Sequence, residues 1–249
     1  MEQISPRNKF ARLLNGIQVP FAGENAYYRE FSSIFIINRG VHEPLEEFVF
    51  QQVLEKLPKD ARMIELGAYW GHYSMWFKKR KPEGTVTLVE PDANNLEVGR
   101  RNFRNNGLAG EFIQSFVGHG HFAIDEFVGK RGIKRLHLLH SDIQGYELEM
   151  LDGAKSALVA GLVDYIFIST HTQNLHEEVI ARLENHGYRV EVVAGYDEET
   201  TSFDGLVFAS NKQLDPLFTN FKPMGRLEIL KSTPSQRAEY LAAVARKAC

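Results

Sequence analysis

From residue 62 onward the apolar positions follow two periods, and the two alternate. Short apolar runs at 62–65, 85–90, 111–117, 136–140, 164–169, 188–193 and 205–209 have the length of buried strands. Between them, apolar residues recur at helical spacing. The helical segments are Trp70, Tyr73 and Phe77, then 92–106 closed by Gly107, then 123–128, a helix opening at 147–151, and 175–186 closed by Gly187. Strands alternating with helices predict a parallel sheet covered on both faces. The polar loop between the sixth and seventh runs is too short for a parallel crossover, so those two strands are expected to pair antiparallel. The pattern therefore predicts an α/β fold: a doubly wound, Rossmann-like sheet of seven strands, the last one antiparallel.

Ahead of this alternation, Phe10, Leu13 and Leu14 suggest a short helix, and 33–37 a strand or buried extended piece. Pro44 stands where a helix would start, and Leu45, Phe48, Val49, Val53, Leu54 and Leu57 follow at helical spacing up to Pro58. The tail carries a final helix at 235–247. The chain divides on this reading into an N-terminal lead-in or cap (1–60), a ligand-binding domain (61–210) and a C-terminal helical extension (211–249).

Composition narrows the partners. The 249 residues, 43% of them hydrophobic, suffice for one α/β domain with appendages. A net charge of −3 shows no basic surplus, so a nucleic-acid partner is not expected. The basic run at 78–81 falls at a helix end, where it complements the carboxyl terminus of the helix. Cys249 is the only cysteine, which leaves no intrachain disulfide. There is no signal-peptide core and no apolar run of membrane-spanning length, so a cytoplasmic protein without membrane insertion is expected.

The most informative stretch runs from Met63 to Phe77. A strand turns through Gly67 and Gly71 into a helix, and glycine there lets backbone approach a ligand where a Cβ would collide. Valine at 67 is accordingly expected to abolish ligand binding and leave the chain folded. A dinucleotide fold would carry G-x-G-x-x-G at this turn, with pyrophosphate resting on the amides. Here Glu65 precedes the first glycine by two residues, and its charge suits a cationic ligand such as the amino-acid part of S-adenosylmethionine. Glu90 ends the second strand, where an acid accepts hydrogen bonds from ribose hydroxyls. It also reads as a plain helix-start acid before Pro91 and Asp92. Most aromatics of the loop and helix belong to the core by their spacing; Tyr69, in the loop itself, is the candidate ligand contact.

The second informative stretch follows the fourth strand. Asp142 lies at that strand's carboxyl end, where it can orient a hydroxyl, take its proton, ligate a metal, or merely cap the next helix. His140 and His171 also fall at strand ends on the ligand edge. His171 is the better placed, on the strand beside Asp142. His119, His121 and His137 have no spacing that forces a metal site.

Three motifs in series carry a resemblance. They are Glu65-x-Gly67-x-x-x-Gly71 with Ser74, then Glu90-Pro91 with Asn94 and Asn102, then Asp142-Ile-Gln-Gly-Tyr-Glu147 with Leu151, Gly153 and Ala154. Together with Gly40–Pro44, Ile124–Glu126 and Asp204–Leu206, they resemble the FkbM-type O-methyltransferases over residues 40–210. The resemblance implies S-adenosylmethionine as cofactor and a hydroxyl as acceptor, often on a sugar of an antibiotic, glycolipid or surface polysaccharide. It assigns cofactor binding to Glu65, Gly67, Tyr69, Gly71, Ser74, Glu90 and Asp142. The family commonly has Lys-x-Asp-x-Glu-Gly where this chain has Ser141 and Gln144.

A sugar hydroxyl is a poor nucleophile while protonated, and Asp142 and His171 are the candidates to act on it. Gln144 removes a carboxylate that a metal site would want. A metal-free pair, one group the base and the other its orienting partner, is therefore the preferred reading over a divalent ion, which recruits several oxygen ligands. Two other classes compete. A nicotinamide-dependent oxidoreductase is disfavoured by Glu65 and the missing G-x-G-x-x-G. A non-catalytic module binding the nucleoside and a partner protein finds its support in the altered fourth-strand motif.

Overall fold

The computed structural model of the protein describes residues 10–21, 40, 41 and 43–247. Nine strands and nine helices lie among them. Two strands, β1 (Phe10–Arg12) and β2 (Gln18–Pro20), form a small antiparallel hairpin. The other seven form one sheet: β3 (Arg62–Leu66), β4 (Thr85–Glu90), β5 (Glu111–Gln114), β6 (Leu136–Ser141), β7 (Val163–Thr170), β8 (Tyr188–Ala194) and β9 (Gly205–Asn211). Their order across the sheet is β5-β4-β3-β6-β7-β9-β8. The first five in that order run parallel, and β9 runs antiparallel to β7 and β8 between them. The expected antiparallel pairing of the last two strands is present, and β9 in addition separates β8 from β7.

The helices are α1 (Pro44–Lys56), α2 (His72–Arg80), α3 (Ala93–Asn105), α4 (Ile124–Lys130), α5 (Glu147–Asp152), α6 (Lys155–Val159), α7 (Gln173–Asn185), α8 (Arg226–Lys231) and α9 (Pro234–Lys247). Their ends follow from local chemistry. Pro44 opens α1, with Glu46 and Glu47 in its first turn. Asp92 caps α3, its carboxylate accepting from the amides of Asn94 and Asn95 at 2.8 Å each. Thr172 caps α7 through Leu175 N at 3.2 Å.

Side chains alternate across the sheet, so each strand feeds two cores. Met63, Leu138, Phe167 and Phe208 pack with α1, α2, α3 and the β1–β2 hairpin. Ile64, Leu139, Ile166 and Val207 pack on the other face with α4 to α7. The same parity turns Glu65 and His140 toward the α1–α2 layer.

Three expectations are corrected. The stretch with Phe10, Leu13 and Leu14 is a hairpin rather than a helix. Ala11 and Leu13 are buried (0% and 1% exposed) while Phe10 and Leu14 are exposed (43% and 72%), and Gly16 takes a positive φ in the turn. Two buried positions spaced by two leave no helical stripe. The third parallel strand is shorter than expected and ends at Gln114; beyond it Val117 bridges to Phe122 across a turn at Gly118. The third correction concerns Gly67. A Cβ there would lie 1.6 Å from the carbonyl oxygen of Asp142, and at Gly71 2.9 Å from Leu88 Cδ2. Both glycines are demanded by the protein's own packing, so valine at 67 disturbs the fold and not a ligand alone. The strand expected at 33–37 lies outside the described residues.

Candidate active site

From β3 the chain winds outward through β4 to β5, then returns to β6 on the opposite side of β3. Winding therefore reverses between the carboxyl ends of β3 and β6, the place where open α/β sheets hold their ligands. The two ends are tied directly: Asp142 N donates to Leu66 O at 2.9 Å. A cavity of about 590 Å³ opens over them.

Five of the seven expected cofactor residues line this cavity: Glu65, Gly67, Tyr69, Glu90 and Asp142. Glu90 is 6% exposed, and both of its oxygens are already oriented. Oε2 accepts from Tyr69 N at 2.9 Å and Oε1 from Asp92 N at 3.0 Å. Asn95 Nδ2 also donates to Oε1 at 3.5 Å, and Oε2 keeps a second lone pair for a ligand hydroxyl. Tyr69 adopts a φ of 45°, a conformation uncommon for a non-glycine residue, and stacks on Trp70 with centroids 4.9 Å apart.

Glu65 has a second task. Its carboxylate accepts from Ser74 N at 3.0 Å, which satisfies an amide in the first turn of α2, a helix with no acid of its own there. Burial raises the pKa of Glu65, with the His140 charge and the bonds at the start of α2 opposing. Gly71 and Ser74 lie beneath the lining: Ser74 is fully buried, and Gly71 packs on Leu88 and Phe103. Their part is to build the turn that presents Glu65.

Asp142 and His171 do come together. His171 Nε2 is 3.1 Å from Asp142 Oδ1, and its Nδ1 is 2.9 Å from Glu147 Oε1. The Nδ1 contact is a hydrogen bond, whereas the Nε2 approach lies off the hydrogen-bond direction and is an ion-pair contact. Asp204 Oδ1 adds a third carboxylate, 3.4 Å from Nε2. Burial alone would lower the pKa of His171, but Asp142, Glu147 and Asp204 outweigh it and hold the imidazole protonated up to about 10. Burial and the charge of Asp142 push Asp204 up to about 6, against the pull of His171. An imidazole carrying that proton donates and does not accept, so His171 serves as a base only when something displaces the proton.

Sequence reasoning left Asp204 and Glu147 without roles. Both stood in quoted motifs, and what was missing was the strand order that sets them around His171. Gln144 also gains an account: its Nε2 donates to Asp142 Oδ1 at 2.9 Å, where a glutamate would repel it. His140, 3% exposed, is bound to Glu46 at 2.5 Å on the cavity wall. Burial and Glu43 raise Glu46 to about 7; burial opposes charging of His140, but Glu46 wins and raises its pKa.

The sheet is Rossmann-like and carries acids at the ends of β3 and β4. Residues 48–123 match the methyltransferase small domain, and residues 121–190 match the methyltransferase FkbM domain. Both matches are to methyltransferase domains, and they support an S-adenosylmethionine-dependent methyltransferase with S-adenosylmethionine as the cofactor. Among solved structures it is similar to a precorrin-6y C5,15-methyltransferase from Geobacter metallireducens GS-15, at 17% identity and a TM-score of 0.50, over 66% of this chain and 87% of that one. It is also similar to M. capricolum TrmK in complex with S-adenosyl-homocysteine, at 15% identity and a TM-score of 0.48, over 80% of this chain and 93% of that one. Comparison with curated protein sequences finds no match. Among the described residues no helix is long and apolar enough to cross a membrane.

Proposed function

We propose that the protein transfers a methyl group to a hydroxyl, on a sugar of a glycan, glycolipid or glycosylated natural product. The observation that carries the reading is the character of the cleft. Glu43, Glu65, Glu90, Asp142 and Asp204 line it, with His72 and His140, and neither lysine nor arginine is among its described lining residues. Such a surface repels a phosphate backbone and favours a neutral polyol or a cation. The basic run at the end of α2 supports the same view, since Lys78, Lys79 and Lys81 each reach a backbone carbonyl of the chain itself.

In this reading Glu90 takes the ribose hydroxyls, Tyr69 and the Gly67 turn flank the nucleoside, and Glu65 faces the cationic amino-acid end. S-adenosylmethionine, when bound, supplies an electrophilic methyl carbon on a sulfonium. The acceptor enters over the carboxyl ends of β6 and β7, where Glu43 is on the lining. Asp142 and His171 hold its hydroxyl, whose proton leaves as the methyl is transferred. Positioning of this kind is worth about 7–11 kcal/mol in well-oriented cases, and removal of the proton about 10²–10⁴ in rate.

The test is to supply S-adenosylmethionine labelled with ¹³C in the methyl group together with sugars, glycolipids, amines and tRNA, and to follow the label by NMR. The expected product carries the label on a sugar oxygen. Label on nitrogen, on carbon or on tRNA would overturn the proposal.

A further inference from the structure

We propose that Asp142, His171 and Asp204 form a divalent-cation site at the mouth of the cleft, and that the cation holds the acceptor hydroxyl. The inference rests on reading this cleft as a methyl-transfer centre and names how its acceptor end works. One ligand atom from each of the three residues lies within 4.8 Å of the other two. His171 Nε2 stands 3.1 Å from Asp142 Oδ1 and 3.4 Å from Asp204 Oδ1. Ligands at about 2.1 Å from a metal lie about 3.0 Å apart along an octahedral edge and about 3.4 Å along a tetrahedral one. These two separations are short enough for the three groups to share one ion.

A second observation is independent of the cluster. A metal-binding histidine characteristically gives its other ring nitrogen to a carboxylate, which fixes the tautomer and aims the free nitrogen. Glu147 does this to His171: its Oε1 takes Nδ1 at 2.9 Å, and the carboxylate is completely buried. Its Oε2 has no hydrogen-bond partner, and neither has His171 Nε2, although both atoms are shielded from solvent. A buried acid that accepts from the Gly145 amide and orients one imidazole toward two more carboxylates is costly as plain architecture. It is coherent when a dication completes the set. Glu147 is then a positioning residue, and Gln144, the residue that left the ligand set thin in the sequence, is replaced in that count by Asp204.

One imidazole and two carboxylates suit a first-row dication better than calcium, which prefers oxygen alone. Three protein ligands leave positions open for a hydroxyl. There the cation lowers its pKa, and the proton leaves to water at the open side of the cleft.

Manganese alone is the probe, added to chelator-treated full-length protein and followed by electron paramagnetic resonance. One Mn²⁺ per chain is expected, bound at least tenfold more weakly by His171→Ala and by Asp204→Asn. Glu147→Gln should weaken it about 10–100-fold, as loss of an orienting carboxylate does, and Glu90→Ala should leave it unchanged. Circular dichroism shows that each variant is folded, as does S-adenosylmethionine binding in metal-free buffer for all but Glu90→Ala. Absence of stoichiometric Mn²⁺ binding, or equal affinity in His171→Ala and Asp204→Asn, would overturn the site. If S-adenosylmethionine binds while Mn²⁺ does not, the cation proposal fails alone. If Mn²⁺ binds as described and S-adenosylmethionine does not, the cation site stands and the reading of the cleft fails.

Discussion

Alanine at position 67 is expected to cost more than about 4 kcal/mol of stability, whereas alanine at position 107 should cost about 1–2 kcal/mol. The two glycines have nearly the same backbone, with φ of 67° and 66°, so the left-handed penalty is common to both. They differ in their surroundings. A Cβ at Gly107 would meet nothing within 4 Å, while one at Gly67 would lie 1.6 Å from the Asp142 carbonyl oxygen and 2.6 Å from its carbon. Those atoms belong to main chain held against Leu66 by the Asp142 N–Leu66 O bond of 2.9 Å, so they have no rotamer into which to retreat. Relief requires separating β3 from β6 at the centre of the sheet. A loss of that size is a large part of the 5–15 kcal/mol that holds a typical domain together. Urea unfolding of the two variants side by side measures the difference, and equal midpoints would show that β6 yields easily at this point.

Asp142→Asn and His171→Ala are each expected to lower turnover by about 10²–10⁴ while S-adenosylmethionine binding survives. Both side chains stand at the ends of β6 and β7, 3.1 Å apart, whereas Glu90 meets the Tyr69 amide at the end of β4. Asparagine keeps the shape of Asp142 and one oxygen, and it loses the charge on which a proton acceptor or a cation ligand depends. Alanine at 171 leaves the buried Glu147 carboxylate without the ring that partners it, so some loss of stability should accompany the loss of rate. Single-turnover rates at saturating S-adenosylmethionine separate the two effects. Near-normal turnover in His171→Ala would remove the imidazole from the chemistry.

The sheet was legible because its strands are short apolar runs between helical segments, and β3, β4 and β6 start and end within a residue or so of the runs that announce them. Glu65, Glu90 and Asp142 were legible for a related reason. Each ends a strand or stands just beyond one, and in a parallel sheet those positions share one edge. Asp204 was not. Pairing β9 with β8 alone leaves Asp204 as a loop residue far from the site. Only the insertion of β9 between β7 and β8 sets Gly205 opposite Thr170, which makes Asp204 and His171 neighbours across the strand ends. The Glu46–His140 pair was hidden likewise, since no local pattern brings α1 over the carboxyl end of β6. The N-terminal hairpin misled by brevity. Phe10, Leu13 and Leu14 fit a helical spacing as well as a strand, and burial decides only once the sheet is there to pack against.

The central claim is that the acid-ended cleft between β3, β4 and β6 is the S-adenosylmethionine site, and calorimetric titration of that ligand into the wild-type protein and Glu90→Ala tests it most directly. One molecule per chain is predicted to bind the wild type. Glu90→Ala is predicted to bind more weakly by roughly 1.5–3 kcal/mol, through the lost hydrogen bonds to a charged acceptor, or roughly ten- to a hundredfold in affinity. No heat of binding to the wild type, or an affinity unchanged by the substitution, would contradict it.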